Sequence, residues 1–416
     1  MLTRRAGPRN RSATDARYDR APMSLPVVAV AVVLLVPALS LAQAPAEAPY
    51  VPKRGAWEHR APEQVGMDPA NVAAAVQIAI AGETKEPRDM RQLLERSFGK
   101  EPHHEPIGPV FDRGGTCGLV VRAGYLIAEW GDTARADMCN SVTKTFLTTV
   151  VGLAWQRGLI HDVGDRVGAS MPAGVELFTS EHNRPITWDH LLRQTSDWQG
   201  ELWGKPDWAD RPEGKTSADW PQVPRHAPGS RYEYNDVRVN VLALAALHVW
   251  RRPLPLVLRE EIMDVIGASS TWRWHGYDTS WLELDGQRVQ SVSGGGHWGG
   301  GLCISTADLA RFGLLFARDG RWGDRPLVRP EWIAMARTPG EHNAGYGHAN
   351  WFLNTDQKAM PAAPASAVRF IGNGGNIVYV DRDHDLVAVV RWMRGDSVFN
   401  EFLTKLLSGI TAAGPK

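Results

Sequence analysis

The chain has 416 residues, which is enough for one large domain or for two. Its 46 acidic residues balance 46 basic ones, and 43% of its residues are hydrophobic, as is ordinary for a globular protein. We therefore expect a globular protein that does not bind nucleic acid, because nucleic-acid-binding proteins usually carry a basic excess.

The N-terminus has the features of an export signal. Residues 1–22 are rich in arginine, residues 25–42 are almost wholly apolar, and Ser40-Leu41-Ala42 is a small-x-small cleavage signature. The apolar run contains prolines and is short for a membrane-spanning helix. We expect residues 1–42 to be a signal peptide with an N-terminal extension, residues 43–56 to be a linker, and the mature protein to be periplasmic or extracellular. An N-terminal membrane anchor is the alternative if the signal is not cleaved.

The first elements of the mature chain are a helix and a hairpin. Helical periodicity predicts a helix over Asn71–Ala81, and the polar residues 82–113 indicate a loop or a peripheral helix. Two apolar runs, Cys117–Val121 and Tyr125–Trp130, are joined by Arg122-Ala123-Gly124, which predicts a β-hairpin.

The stretch Cys139–Phe146 places a serine and a lysine three residues apart, where a predicted helix begins. Positions i and i+3 share a helix face, so Ser141 and Lys144 would meet at the first turn, where unpaired N–H groups favour a developing anion. A serine hydroxyl becomes a nucleophile when a base takes its proton, and a desolvated lysine can be that base. The alternative is a capping serine beside a solvated lysine.

The middle of the chain combines loops with apolar helices. Residues 160–220 are rich in turns around one predicted helix, Trp188–Gln194, and helical segments follow over Asn240–Trp250 and Arg259–Ile266. Five tryptophans belong to the turn-rich region: Trp188, Trp198, Trp203, Trp208 and Trp220. They either form an aromatic wall over a substrate cleft or pack under long loops, and the sequence leaves both interpretations open.

The C-terminal third begins with a glycine-rich stretch, Gly294–Gly301, which we interpret as a close-packed backbone turn in which His297 is structural. The elements predicted after it are a helix over Ala307–Phe316 capped by Ser305-Thr306, strands Ile377–Val380 and Leu386–Val390 joined by the turn Asp381–Asp385, and a helix over Glu401–Ile410.

Strands thus lie towards both ends of the chain, and helices fill the middle. This order predicts an α/β (α+β) fold with an antiparallel sheet that is flanked by helices and built from both ends of the chain. We expect residues 57–145 and 286–416 to form the α/β domain and residues 146–285 to form a mainly helical inserted domain. Three cysteines, Cys117, Cys139 and Cys303, are too few for a disulfide framework, although one bridge is possible.

Four stretches in this order resemble the landmarks of one family: Asn140–Phe146, Ile186–Ser196, Pro228–Tyr234 and Gly299–Gly313. They are similar to those of the serine hydrolases of the class C β-lactamase, D-alanyl-D-alanine carboxypeptidase and family VIII esterase group. The resemblance extends from about residue 60 to the C-terminus and implies a β-lactamase/transpeptidase-like fold.

The resemblance also implies roles for individual residues. Ser141 would be the nucleophile that becomes acylated, Lys144 the base or proton relay, and Tyr234 the second proton-handling group, provided that nearby cations lower its pKa. The backbone N–H groups of Ser141 and Asn376 would form the oxyanion hole. No metal or other cofactor is expected.

The chain departs from the family pattern at two positions among its predicted substrate-binding residues, Asp236, Asn373, Gly374 and Gly375. In Tyr234-Asn235-Asp236 an aspartate stands where an amide is expected, and it could pair with Lys144, keep it protonated and shift the base role towards Tyr234. In Asn373-Gly374-Gly375 the usual cation is missing, which disfavours substrates that carry a carboxylate.

The sequence therefore predicts a secreted serine hydrolase that cleaves a small-molecule ester, amide or peptide through an acyl-enzyme and is esterase-like, with an uncharged substrate. It would have no stable membrane span once the signal is removed. A β-lactamase, a D-Ala-D-Ala carboxypeptidase or a penicillin-binding protein is the alternative within the family. The alternative of another class is a catalytically inactive binding or scaffold protein with the same fold.

Overall fold

The computed structural model describes residues 49–214 and 216–412 as antiparallel strands packed with helices. The strands are β1 (Cys117–Arg122), β2 (Tyr125–Trp130), β3 (Asp137–Met138), β4 (Glu201–Leu202), β5 (Lys205–Pro206), β6 (Arg273–Leu284), β7 (Gln287–Val292), β8 (Gly301–Ile304), β9 (Arg321–Trp322), β10 (Arg325–Pro326), β11 (Phe352–Leu353), β12 (Val368–Gly372), β13 (Asn376–Asp381) and β14 (Leu386–Arg391). The α-helices are α1 (Pro69–Ala81), α2 (Met90–Phe98), α3 (Thr143–Gln156), α4 (Trp188–Leu192), α5 (Asp236–Trp250), α6 (Leu254–Leu258), α7 (Thr306–Ala317), α8 (Pro330–Ala336) and α9 (Gly395–Leu407).

The central sheet has six antiparallel strands in the order β11-β12-β13-β14-β1-β2. Strand β1 pairs with β14, so the N-terminal hairpin is continuous with the C-terminal strands, and Cys117 lies opposite Arg391. The prediction of an antiparallel sheet built from both ends of the chain is confirmed.

Both faces of this sheet are buried, and successive residues of each strand alternate between two apolar cores. Leu119 and Val121 belong to the core that contains α7 and α3, whereas Val120 between them belongs to the core under α1 and α9. Helices cover both faces, so the strands appear in the sequence as continuous apolar runs.

Several helices begin or end away from their predicted limits because of local polar groups. Asn235 accepts a hydrogen bond from the Arg238 N–H and caps α5, which therefore begins at Asp236, four residues before the predicted start at Asn240. Helix α4 ends at Leu192 instead of Gln194, and Gln194 takes a left-handed conformation with φ 55°. Helix α7 begins after its predicted cap, Ser305, which accepts from the Asp308 N–H.

The sequence did not predict the long hairpin β6–β7, which forms a four-stranded sheet in the order β3-β8-β6-β7. Its strands carry many polar residues, and the register shifts between Gly276 and Trp281, so regular alternation is absent. This hairpin crosses the proposed limit at residue 285 of the mainly helical domain. The division of the chain into two domains stays a prediction, and residues Ala48–Lys416 form one compact unit.

Two further predictions concern the termini and the cysteines. The predicted signal peptide and residues 43–48 of the predicted linker lie outside the described residues. Across the described ranges, no single helix combines the length and the hydropathy needed to cross a membrane, and only the bent pair α5 with Leu254–Met263 reaches that threshold when its halves are taken together. Cys117, Cys139 and Cys303 are all buried free thiols, so the possible bridge is not formed.

Candidate active site

Ser141 lies in a single 3-10 turn, Asn140–Val142, that leads directly into α3. Lys144 is in the first turn of α3, fully buried, and its Nζ donates a hydrogen bond to Ser141 Oγ at 2.9 Å. The i, i+3 spacing predicted this contact. The structure therefore places the hydroxyl and the amine in direct hydrogen-bond contact at the N-terminal end of a buried helix.

The residue before Ser141 is held in an uncommon backbone conformation. Asn140 has φ 47°, and its side-chain Nδ2 donates to the Asn373 carbonyl oxygen at 2.8 Å. A non-glycine residue in this region costs free energy that the surrounding contacts must offset. The bond ties the serine turn to the loop between β12 and β13, which carries the predicted substrate-binding residues.

Tyr234, two residues before α5, reaches the same point from a different part of the chain. Its ring centroid is 4.7 Å from Lys144 Nζ, and both Lys144 and Ser141 are close enough to the phenol to lower its pKa. Burial raises the pKa of Tyr234, and the Asp236 carboxylate adds to this, while Lys144 opposes it. The condition that nearby cations lower the pKa of Tyr234 is therefore not met, because burial outweighs the nearby ammonium.

Asp236 is the first residue of α5 and forms a buried ion pair with Lys144, with Oδ1 2.9 Å from Nζ. Burial disfavours the Lys144 ammonium, but the Asp236 carboxylate and Tyr234 outweigh it, so the pKa of Lys144 is raised. Burial likewise opposes the Asp236 charge, but Lys144, His297 and Arg211 together lower the pKa of Asp236. The pair is thus held as ammonium and carboxylate, as the departure from the family pattern predicted.

A second layer of charged groups lies behind this pair. Arg211 contacts the buried Asp210 carboxylate, and its Nη1 is 3.7 Å from Asp236 Oδ2. Asp210 Oδ2 also accepts a hydrogen bond from the Asp236 N–H at 2.5 Å. Burial raises the pKa of Asp210 although His297 and Arg211 oppose it, and the net negative surroundings raise the pKa of Arg211 against the effect of its burial. His297 Nδ1 approaches the same two carboxylates, at 3.6 Å from Asp210 Oδ1 and 4.0 Å from Asp236 Oδ2.

The glycine-rich stretch makes room for this cluster. A Cβ atom at Gly295 would collide with Asp236 Oδ1 and with Lys144 Nζ. The prediction that Gly294–Gly301 is a close-packed backbone turn is therefore confirmed, since its backbone passes directly over the Lys144–Asp236 pair.

One group of side chains has the composition of a metal site. Glu101, Asp210 and His297 each offer a ligand atom, and the three atoms lie within 4.8 Å of one another. The guanidinium of Arg211, however, already contacts Asp210 and approaches Asp236. The Arg211 guanidinium therefore occupies the space between Asp210 and Asp236.

The nucleophile opens into a cavity of about 480 Å³. Its wall includes Ser141, Tyr234, Asp236 and the loop Asn373–Gly375, so the structure brings the predicted catalytic and substrate-binding residues together. Arg211 is the only lysine or arginine among the described residues of the wall, and it is already paired with Asp210. The missing cation at Asn373 is thus not replaced by a free one from another element.

Aromatic side chains do line the cavity, but they are not the predicted tryptophans. Phe98 and Phe352 contribute to its wall, whereas Trp188 and Trp198 are buried in the main apolar core. None of the five tryptophans of the turn-rich region lies on the described cavity wall. The aromatic-wall interpretation therefore does not hold for this cavity, and core packing is found for Trp188, Trp198 and Trp203.

Asn376, the second predicted oxyanion residue, is the first residue of β13. Its side chain is fully occupied within the protein: Nδ2 donates to the Asn373 carbonyl, and Oδ1 accepts from Arg391 Nε at 2.8 Å. Arg391 is itself fully buried and donates to the carbonyls of Asp137, Met138 and Ile304. These bonds fix the start of β13 beside the serine turn, and the oxyanion role of the Ser141 and Asn376 N–H groups stays a prediction.

The sequence did not single out Glu101, Asp210 or Arg211, and it assigned His297 to structure. The three are polar residues in loops without a motif of their own. Only their three-dimensional placement behind Asp236 shows that they belong to the site. One feature of the sequence did point to them: Asp236 stands where the family has an amide, and a buried aspartate needs compensating charges nearby.

Comparisons with known proteins identify the family and the fold of the chain. The family model described as Beta-lactamase matches residues 127–403. A search of curated proteins found no significant match. Among solved structures, a β-lactamase from Mycobacterium bovis is 19% identical over 71% of this chain and 95% of its own, with a TM-score of 0.50. A family VIII carboxylesterase is 14% identical, covering 82% of this chain and 98% of its own, with a TM-score of 0.53. A penicillin-binding protein homologue from Caulobacter crescentus is 14% identical, covering 82% and 97%, with a TM-score of 0.51.

Proposed function

Since the chain belongs to the β-lactamase family, we propose that it is a serine hydrolase that cleaves an ester or amide through an acyl-enzyme on Ser141. The observation that carries the proposal is the hydrogen bond between Lys144 Nζ and Ser141 Oγ at the wall of an open cavity. The Tyr234 ring lies against Lys144 and shares the cavity wall with Ser141, so two proton-handling side chains adjoin one nucleophile.

The chemistry begins from a resting state in which Asp236 holds Lys144 as an ammonium. Reaction requires the form in which the Lys144–Tyr234 pair has lost one proton, because only that form can take the proton of Ser141. Ser141 Oγ then attacks the substrate carbonyl, and the oxyanion that forms accepts hydrogen bonds from the N–H groups of Ser141 and Asn376. The pair gives the proton to the leaving group. Water then attacks the acyl-enzyme in the same way and releases the acyl product from Ser141.

We propose further that the substrate is an uncharged ester or small amide. Asn373 supplies no cation, and the guanidinium of Arg211 is already balanced by Asp210 and Asp236. A substrate carboxylate would therefore find no free positive charge on the described cavity wall, while Phe98 and Phe352 would contact an apolar acyl group. One of the similar solved structures, a family VIII carboxylesterase, is an esterase by name. Export remains a proposal that rests on the apolar segment before Ala42.

A panel of substrates tests this function. Short-acyl p-nitrophenyl esters, nitrocefin and a D-Ala-D-Ala peptide would be offered to the wild-type protein, to Ser141→Ala and to Ser408→Ala, whose serine is exposed at the end of α9. We expect the esters to be hydrolysed fastest, Ser141→Ala to lose at least about 10³-fold in kcat/KM, and Ser408→Ala to match the wild type.

Turnover that survives in Ser141→Ala would contradict the mechanism. Faster hydrolysis of nitrocefin or of the peptide would keep the mechanism and replace the substrate class. A folded wild-type protein that turns over none of the three would instead favour a binding or scaffold role.

A further inference from the structure

Tyr234 belongs to residues 231–235, which form neither a helix nor a strand. Regular structure therefore does not fix its backbone, and other hydrogen bonds must do so. The N–H groups on either side of Tyr234 both donate to one residue. The Glu233 N–H donates to the Gln194 carbonyl oxygen at 2.9 Å, and the Asn235 N–H donates to Gln194 Oε1 at 2.6 Å. Gln194 thus holds the chain immediately before and immediately after Tyr234.

Gln194 adopts a backbone conformation that glycine would adopt more easily. It follows Arg193, the C-cap of α4, and has φ 55°. Helices commonly end with glycine or asparagine in this left-handed region, where a longer side chain costs free energy. A glycine at this position would end α4 equally well, but it would lack the side chain that bonds to Asn235. The glutamine is therefore explained by its side-chain bonds and not by the turn.

The same amide also holds an aromatic ring that packs against Tyr234. Gln194 Nε2 donates to the Tyr346 hydroxyl at 3.0 Å, and this oxygen also accepts from the Asn350 N–H at 2.8 Å. The Tyr346 ring makes T-shaped contacts with the rings of Tyr234 and Tyr232, at centroid distances of 6.2 and 5.1 Å. Gln194 and Tyr346 are each 1% exposed. One buried side chain therefore fixes both the backbone beside Tyr234 and a ring that contacts it.

We propose that Gln194 is a positioning residue that holds the Tyr234 phenol in place for proton transfer at Ser141. Gln194 does not lie on the described cavity wall, so it acts through Tyr234 and not on the substrate. Without its amide, the Asn235 N–H loses its acceptor and the segment that carries Tyr234 can move. Proton transfer requires hydrogen-bond reach, so a small displacement of the phenol lowers the rate steeply. This inference rests on the proposed hydrolase function.

A double-mutant cycle with Tyr234 tests this role, and the measurement is the rate at which a fluorophosphonate labels Ser141. Gln194→Met keeps the length of the side chain and removes its hydrogen bonds, whereas Tyr234→Phe keeps the ring and removes the phenol hydroxyl. We expect Gln194→Met to slow labelling about 10- to 100-fold when Tyr234 is present. In the Tyr234→Phe background no phenol is left to position, so the same change should slow labelling by less than about twofold. A purely structural role would slow it equally in both backgrounds.

A second variant keeps the test decisive if Gln194→Met does not fold. Asparagine suits the left-handed conformation better than glutamine, so Gln194→Asn should preserve the end of α4. Its side chain is one methylene shorter and cannot bond to the Asn235 N–H and the Tyr346 hydroxyl together. Gln194→Asn should therefore also slow labelling, and the loss should again disappear in the Tyr234→Phe background.

Asn183→Leu is the matched control. Asn183 is also a buried amide that joins loops, since its Nδ2 donates to the carbonyl oxygens of Leu177 and Gln199, and it lies off the described cavity wall. The folded variant should label Ser141 at a rate within about twofold of the wild type, because Asn183 bonds to neither side of Tyr234.

Distinct outcomes separate this inference from the proposed function. If the wild type is labelled at Ser141 but the Gln194 variants label at its rate, or lose equally in both backgrounds, the role of Gln194 is overturned and the hydrolase stands. The same holds if Tyr234→Phe labels at the wild-type rate, since no phenol then needs positioning. It also holds if circular dichroism shows that neither Gln194 variant folds, because the residue then serves stability alone. If the folded wild type is not labelled at Ser141, the proposed function fails and this inference with it.

Discussion

At the residue scale, the feature that distinguishes this site is the aspartate in Tyr234-Asn235-Asp236. As the first residue of α5 it points its carboxylate at Lys144, within 2.9 Å of Nζ and with both side chains buried. The same ion pair that positions Lys144 beside Ser141 also opposes its role as a base, because a paired ammonium holds its proton more firmly.

The raised pKa of Lys144 leads to a prediction for Asp236→Asn. Removing the carboxylate removes the main stabilisation of the ammonium, so Lys144 should deprotonate at lower pH. We expect the acid limb of kcat/KM for ester hydrolysis to move downwards by about one pH unit or more, and the rate at pH 7 to rise about tenfold. A pH–rate profile from pH 5 to pH 10 measures both.

Asp197→Asn is the matched control for this variant. Asp197 is also a buried aspartate that is paired with a cation, Arg238, at 2.6 Å, and it lies away from the described cavity wall. Its replacement should leave the acid limb in place. An acid limb that is equally unmoved in Asp236→Asn would remove Asp236 from the control of Lys144.

The sequence predicted the site residues that belong to a local motif. Ser141 and Lys144 are three positions apart on one helix, so their contact follows from helix geometry. Asp210 and Arg211 are neighbours in one loop, Glu101 comes from another, and both loops reach Asp236 only through tertiary packing. No spacing in the sequence encodes the contacts with Asp236, which is why the charge network behind it was not predicted.

At the element scale, the site depends on the turn between β12 and β13 being fixed beside the serine turn. Arg391 on β14 provides the anchor: it donates to Asn376 Oδ1 and to three carbonyl oxygens that include Asp137 and Met138. Arg391, at the end of an otherwise apolar strand, therefore donates hydrogen bonds to residues of β3, β8 and β13.

Arg391→Met should test this anchor. Loss of the guanidinium leaves several buried acceptors without donors, so we expect the free energy of unfolding to fall by about 3 kcal/mol. Arg325→Met, which changes an exposed arginine of β10, is the control and should change it by less than about 0.5 kcal/mol. Urea denaturation followed by fluorescence measures both, and equal midpoints for the two variants would show that Arg391 is not an anchor.

The accuracy of the predicted elements follows from their burial patterns. Strands β1, β13 and β14 are buried on both faces and appear as apolar runs, so they were predicted within one or two residues. Helix α9 begins at Gly395, six residues before its predicted start, because its first turn is polar and mostly exposed. Hairpin β6–β7 was not predicted because its polar side chains and its register shift obscure the alternation of apolar and polar residues that marks a strand.

At the scale of the whole molecule, the site is assembled from distant parts of the chain. Ser141 follows the N-terminal strands, Tyr234 precedes the central helix α5, and Asn373 belongs to the C-terminal part of the sheet. Pairing of β1 with β14 brings the first and last of these together, so the fold itself creates the cavity.

The most direct test of this account is to locate the covalent adduct by mass spectrometry. The folded wild-type protein would be treated with a fluorophosphonate, its intact mass recorded, and its peptides mapped beside those of Ser141→Ala. We predict one adduct per chain, carried by the peptide that contains Ser141, and no adduct on Ser141→Ala. A folded wild-type protein that stays unmodified, or that carries its adduct on another residue, would contradict the assignment of Ser141 as the nucleophile.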